Sequence, residues 1–569
     1  MYLKKATSTK TGRTYLSIAH NYRDEVGKNR TKTIESLGYV DKLEADYPDP
    51  IAHFTQVVAR MEEERKQSCA PVAVTIDPEE ALSGKTARKN LGFGALSAVY
   101  HELGLASLFR NVGNKTASRF NLDCAARLLI FERILNPGSK RRALAGAAGY
   151  FEDFDISEAD LYRALGELAG ATERVQRYLH RKVCENYGRD TDLVYYDVTN
   201  YYFESDVVDD LRRKGVNKAH TPDPIVQMGL LIDKSGLPIS FDVFAGNTND
   251  CLTYLPVISR VKREFAVGRV IVVADKGINT SDNCAYNLIK GDGYVFSKSV
   301  RKADKDVKRW CLNGKGFRWD DSGQERATKT RITTRILYIE GPNGKKKEIP
   351  VEERHVCVWS RKYAKRAAIK RADAIAKAEK LIKNPSAYKN VITKGVAKYV
   401  EGIDVDKNGE ILKGKKVLTL DRKRIEEEAR YDGFYLLTTS ELDRSAAEIV
   451  SMYAGLAKIE ESFKVTKSRL RSRPVFVWTP EHIRAHFLIC FISLLIIRIL
   501  EMKTGHRHST EALIDAMRSA SATHIESNWW VFDYRDNVLD DIGAALGIDF
   551  TKRYMRLKDI KAIIAKTKK

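Results

Sequence analysis

The sequence predicts an α/β fold: a layered core with an antiparallel portion, preceded by a small β module and a helical region and interrupted by a β-rich insertion. Three observations predict it. From residue 193 onward, short β-rich runs alternate with helical ones, as helices layered on a sheet require. The run RVIVVAD, ending at Asp275, is apolar without alternation, the pattern of a strand covered on both faces. Residues 87–185 carry apolar positions at helical spacing, in ALSAVYHELGLASLF and LDCAARLLIFERIL.

Residues 1–50 read as the small β module, with strands TYLSIAHNY and TKTIESLGYV around the polar stretch RDEVGKNR. In the helical region, 87–185, LDCAARLLIFERIL is stopped by Asn136-Pro137-Gly138. Residues 190–300 are the first part of the core. LVYYDVT is a strand, and IVQMGLLID and LPISFDVFAG form a hairpin around Lys234-Ser235-Gly236. A helix from about Leu252 to Phe265, the strand RVIVVAD, the helix NCAYNLIK and the strand YVFSKSV follow. Residues 301–430 break this alternation with turn signals at Asn313-Gly314 and Pro342-Asn343-Gly344, and read as an inserted subdomain. Its Ala-rich segment, stopped by Pro385, holds nine basic and two acidic residues between Arg361 and Lys383. That face is either solvated or a DNA-backbone contact.

Residues 432–505 supply one helix from near Ser440 to about Leu470 and a second starting at Thr479-Pro480-Glu481. There Thr is the N-cap, Pro takes the first helical position and Glu suits the positive dipole end. Residues 506–569 are a basic C-terminal region. Its last nineteen residues hold eight basic side chains against Asp559 alone, as a nucleic-acid-facing segment or a disordered tail would.

The 569 residues suffice for several domains, and 43% hydrophobic content suffices for cores. A formal net charge of +22 favours a polyanionic partner, because each Lys or Arg at a phosphate releases counterions. An anionic membrane surface would want an amphipathic or lipidated anchor, which the sequence lacks, so no membrane partner is expected. The eight cysteines stand singly without C-x-x-C spacing, which argues against a disulfide framework or zinc ribbon. A reducing, cytoplasmic, nucleoid-associated setting is expected, and MYLKKATSTKTGRTYL lacks the apolar h-region of a secretion signal. The run FLICFISLLII, 487–497, is too short to span a bilayer and reads as a buried core helix.

Asp197 interrupts an otherwise apolar strand, and Asp275 ends another before the turn Lys276-Gly277. Acids at strand ends of an α/β sheet face the crevice where such folds bind ligands. Each alone is readily a turn or capping residue. As neighbours they repel, and a divalent cation is the commonest reason to tolerate that. Tyr453, Glu460 and Lys467 are seven apart, which on a continuous helix keeps each within about 20° of the one before. A surface ion-pair stripe, with Glu460 bonded to Lys464, fits this spacing equally well. His482 and His486 have zinc-compatible spacing but no third ligand, and read as packing or phosphate-facing residues. Asn247 and Asp250 belong to a polar loop near the presumed site, or to turn chemistry alone.

The chain resembles the bacterial insertion-sequence DDE transposases of the group with a Tyr-Arg-Glu-Lys helix signature. That signature places Arg three after Tyr, Glu four further on and Lys seven beyond. Tyr453, Glu460 and Lys467 fall in register, which selects Glu460 over Glu461. Leu456 stands at the Arg position, and Ala457 replaces the group's usual aromatic. YYDVTNYYFES resembles the first-aspartate block, DLRRKGVNKAHTPDPIVQMGLLID with FDVFAGNTND the hairpin block, and VVADKGINTSDN the second-aspartate block. KIEESFKVTKSRLRSRPVFVWTPEHIRAHFLICFISLLI resembles the glutamate helix and its successor, so the likeness covers about 190–300 and 432–500.

The resemblance implies a ribonuclease-H-like catalytic core, with two aspartates on neighbouring strands and a glutamate on a helix after a β-rich insertion. It implies Asp197, Asp275 and Glu460 as catalytic residues holding two Mg²⁺ ions, for which Mn²⁺ can substitute. Tyr453, Lys467, Lys464, Arg469, Lys218 and Lys276 would contact DNA or its phosphates. The implied function is metal-dependent cleavage at transposon ends and 3′-OH strand transfer. Its partner is double-stranded DNA, terminal inverted repeats and target alike, held by a homodimer in a synaptic complex. A catalytically silent, domesticated DNA-binding protein is the rival, and Leu456 and Ala457 keep it in view.

Overall fold

Leu193–Tyr202 (β1) is a strand because its sequence, LVYYDVTNYY, is dominated by β-branched and aromatic residues. Ile225–Asp233 (β2), buried throughout, and Pro238–Ala245 (β3) form the expected hairpin. Its turn is held by Asp233, whose Oδ1 accepts from the backbone N–H groups of Ser235 and Leu237, each at 2.9 Å. Gly236 there has a φ of 96°, a conformation that favours glycine. Ile271–Ala274 (β4) and Gly293–Lys298 (β5) run parallel to β1. The order β3-β2-β1-β4-β5, in which β2 alone runs antiparallel to the other four strands, is the ribonuclease-H-like arrangement. The computed structural model describes residues 1–9, 11–23, 29–67, 88–116, 118–215, 223–320, 325–340, 345–383, 396–401, 419–525 and 528–569.

Helices Asp250–Glu264 (α1) and Ser281–Ile289 (α2) cover one sheet face, packing Tyr254, Val257, Ile258 and Cys284 against Val194, Tyr196 and Val198. The other face carries Tyr195, Tyr201 and Val273 into the largest core. There lie Ala446–Ala454 (α3), Ala457–Lys464 (α4) and Pro480–Lys503 (α5). The start of α5 follows its predicted chemistry, with Thr479 Oγ1 accepting from the His482 N–H at 3.2 Å and Pro480 in the first turn. Its Phe487 and Phe491 rings lie 4.8 Å from Tyr201 and 5.0 Å from Phe241. Among the described residues α5 is the one helix long and apolar enough to cross a membrane, yet 89% of its apolar window is buried inside the fold. The helical region, including Leu122–Leu135 and Glu158–Gly170, packs on its far side.

The expected insertion behaves differently from a separate subdomain. Arg318–Trp319 (β6), Arg326–Glu340 (β7) and Lys346–Ser360 (β8) extend the same sheet through Phe434–Thr439 (β9), which pairs antiparallel with both β8 and β5. The full order is β6-β7-β8-β9-β5-β4-β1-β2-β3. The basic helix Arg361–Lys383 buries only Ala378 and Leu381.

The C-terminal region corrects the disordered-tail reading. It contributes three strands to a four-stranded sheet completed by Arg88–Asn90, and ends in the helix Leu557–Lys566. Ile560 and Ile564, one turn apart, are buried, so the basic side chains occupy the other face of an amphipathic helix.

Residues Met1–Gly84 are a separate compact unit. Its three-stranded antiparallel sheet, Tyr2–Thr7, Thr14–Arg23 and Asn29–Tyr39, matches the predicted β module, with Leu16 and Ile18 buried. A helix, Pro50–Gln67, follows that the sequence reading did not include.

Candidate active site

The β1–β4 pairing runs to Tyr196 opposite Ala274, so the next residues in register are Asp197 and Asp275. Both follow residues whose side chains enter the core beneath α3–α5, Tyr195 and Val273, by one strand period. The two carboxylates therefore share a sheet face on strands spaced about 4.8 Å apart. Both are half-buried. The β4–β5 register likewise sets Asp275 beside Ser297, whose Oγ donates to Asp275 Oδ1 at 2.6 Å.

The predicted continuous helix from Ser440 is a correction. It starts at Ala446, after Ser445, which forms a capping box with Glu448. It then breaks at Gly455-Leu456, where Leu456 N–H bonds Tyr453 O and Lys458 N–H bonds Gly455 O, three residues back. Gly455 explains the break: a Cβ there would lie 1.9 Å from Tyr195 Oη, so the chain passes against the β1 tyrosine closely enough to exclude a side chain. Tighter three-residue turns rotate faster than an α-helix, so Tyr453 and Glu460 are not on one straight stripe. Val465–Arg469 is a π-helical turn, which also alters the spacing to Lys467.

Tyr453 and Lys467 nevertheless bracket the aspartates. Tyr453 stacks on Tyr435, 6.1 Å between centroids, and lines a cavity of about 410 Å³ with Asp275, Lys276, Ser297 and Tyr363. Burial raises its phenol well above the ordinary value, against a hydrogen bond to Ser297, and the Asp275 charge adds to the rise. Lys467 Nζ donates to Thr199 Oγ1 and lies 5.4 Å over the Tyr201 ring. Thr199 is two residues beyond Asp197, on the same strand face. Glu460, between these anchors in sequence, is exposed. Among the described residues no three His, Cys, Asp or Glu side chains are gathered closely enough to hold a metal ion, so Glu460 is not drawn in with the two aspartates.

The remaining expected residues are placed as follows. Lys276 is exposed on the turn after Asp275. Lys464 pairs with Glu461 at 3.6 Å, not with Glu460. Arg469 pairs with Glu511, and Lys218 lies outside the described residues. His486 is buried, with Nε2 3.1 Å from Ser472 O, which supports the packing role over zinc. Asn247 and Asp250 line a separate cavity of about 610 Å³ with Asn200 and Gln227. Asp250 also abuts Gly277, with Oδ2 3.6 Å from where a Cβ would stand. Ser297, Thr199 and Tyr435 were missed, because only the strand register makes them neighbours of the acids.

A sheet of this order, with Asp197 inside β1 and Asp275 next in register just past the end of β4, is that of a ribonuclease-H-like fold. A family model for the transposase DDE domain matches residues 212–496, and one for the N-terminal domain of IS1634 family transposases matches residues 3–72. The chain belongs to the DDE transposases, and it is a DNA transposase of the insertion-sequence type. Members of this family use divalent metal ions. The DDE match takes in Asp275, Tyr453, Glu460 and Lys467 and begins after Asp197. No match to a curated protein was found. Among solved structures, the chain is similar to a piggyBac transposase synaptic complex with hairpin DNA at 9% identity, covering 75% of this chain and 79% of that one, with a TM-score of 0.38. A Mos1 transposase paired-end complex with left transposon end matches at 12% identity, 41% and 65% coverage and a TM-score of 0.12.

Proposed function

We propose that Asp197, Asp275 and Glu460 are the catalytic carboxylates of this transposase, which nicks DNA hydrolytically at transposon ends and then joins the freed 3′-OH to target DNA. The observation that supports this best is the parallel register that lays Asp197 beside Asp275 on the sheet face beneath α3–α5. Two carboxylates held side by side repel, and a donor set of carboxylate oxygens alone fits hard divalent cations, Mg²⁺ with Mn²⁺ as substitute. Asp197, Asp275 and Glu460 would together hold the ions. Bound there, the ions would activate the attacking water or 3′-hydroxyl and stabilise the leaving oxygen.

The chain's own residues supply the positioning. Ser297 fixes one oxygen of Asp275 by a hydrogen bond. Lys467, anchored on Thr199, offers its ammonium to a phosphate beside the scissile bond. Lys276 adds a second cation, and Tyr453 lines the same cavity as Asp275. Glu460, exposed on α4, closes onto the aspartates when DNA and cation arrive. Double-stranded DNA, as terminal repeats and as target, is the substrate, and a homodimer holds both ends in one synaptic complex.

The test uses labelled element ends with and without Mg²⁺. Asp197→Ala, Asp275→Ala and Glu460→Ala should each lower cleavage on the order of a thousandfold, since metal-based charge stabilisation contributes several kcal/mol. Undiminished Mg²⁺-dependent cleavage in any one variant refutes its assignment.

A further inference from the structure

Where the helix bearing Glu460 ends, the chain enters a polar cavity of about 300 Å³. Ser468, Arg469 and Arg471 line it together with Arg142 and Arg518. Four guanidinium groups thus share the cavity with two carboxylates, Glu511 and Asp515. Arg469 pairs with Glu511, and Arg518 with Asp515 at 2.7 Å. Arg471 forms no ion pair among the described residues, and the carboxylate that Arg142 acts on, Glu132, is buried outside the cavity lining. Two like charges facing one cavity repel unless an anion lies between them.

The cavity is also built rigidly. Arg133, buried, donates Nη1 to the carbonyls of Leu470 and Arg471 at 3.2 Å each and Nη2 to Gly138 O at 3.0 Å, tying these two stretches of chain together. Arg518 Nε donates to Leu135 O at 2.7 Å, which fixes that guanidinium. Arg471 has a φ of 41°, a left-handed conformation that non-glycine residues seldom adopt and that clusters at ligand clamps.

We infer that this cavity is a phosphate-binding site for the DNA backbone, in which Arg142 and Arg471 clamp one phosphate. The inference rests on the transposase reading of the neighbouring carboxylates. Ser468–Arg471 follow the helix that bears Glu460, across the π-helical turn Val465–Arg469. Lys467 and this clamp then hold successive points on one strand, setting how far the duplex can slide past the cutting residues.

The test is a salt titration of full-length protein on a labelled mixed-sequence duplex, in chelator, so that cleavage plays no part. The double variant Arg142→Ala/Arg471→Ala should bind every duplex more weakly, with the slope of log K against log salt shallower by about 0.9, one phosphate contact. Arg142→Lys/Arg471→Lys should restore that slope. An alanine variant with unchanged slope and affinity overturns the clamp. Wild-type protein gives an independent readout by phenylglyoxal modification and mass spectrometry: duplex should protect Arg142 and Arg471, and equal modification with and without duplex overturns the clamp. The carboxylate variants test the transposase reading separately, so either can fail alone.

Discussion

At the scale of single residues, the site is set by which side chains face each other across strands. Asp197 and Asp275 were legible in the sequence because an acid breaking or ending an apolar strand is conspicuous. Ser297 was not, because a serine inside a strand carries no signal until the β4–β5 register sets it beside Asp275. Ser297→Ala should lower cleavage about tenfold while leaving DNA affinity unchanged, the effect of one lost hydrogen bond to a charged group. Gly455 has the same character. Gly455→Ala drives a methyl into Tyr195 Oη and should destabilise the fold by about 1–3 kcal/mol, measured by chemical denaturation. Adding Tyr195→Phe should recover part of that loss. Leu456, at the position where the family signature has Arg, is buried in the main core, so an arginine there would need a partner that this packing does not offer.

At the scale of elements, period and punctuation carried the reading furthest. The hairpin IVQMGLLID–LPISFDVFAG, the helix Leu122–Leu135 and the Thr479-Pro480 helix start were all legible, since each is bounded by turn or capping residues. The break in the glutamate helix was hidden, because it answers to Tyr195 on a strand some 260 residues away rather than to local propensity. Strands β6–β8 were read as β-rich, but their union with the core depends on β9, which follows more than seventy residues later.

A buried cluster secures that union. Glu353 on β8 bonds Arg335 on β7 at 2.9 Å, Tyr294 on β5 at 2.9 Å and His355 at 3.0 Å. Burial opposes its ionisation, but the His355 hydrogen bond and the Arg335 guanidinium outweigh it and hold the carboxyl down to about 2. A carboxyl depressed in the folded state stabilises fully above its unfolded pKa and loses that contribution as pH falls. The loss should therefore run from about pH 4.5 down to about pH 2. Glu353→Gln should cost about 3–5 kcal/mol at neutral pH and flatten acid unfolding across that window.

At the scale of the whole molecule, the chain carries a net charge of +22, and the basic helices Arg361–Lys383 and Leu557–Lys566 leave most of their side chains outside the core. Charge told the partner class from composition alone, because polyanion binding depends on number and sign more than on geometry. The order of the C-terminal region was not legible, since its two buried isoleucines, Ile560 and Ile564, mean something only against the surface they pack on. Mn²⁺ binding to the protein–DNA complex, followed by electron paramagnetic resonance, bears most directly on the three carboxylates acting together. Wild-type protein should bind two ions per site, with Asp197→Asn, Asp275→Asn and Glu460→Gln each binding fewer. Full occupancy of both positions in the Glu460→Gln complex would contradict the convergence of the three acids on one metal pair.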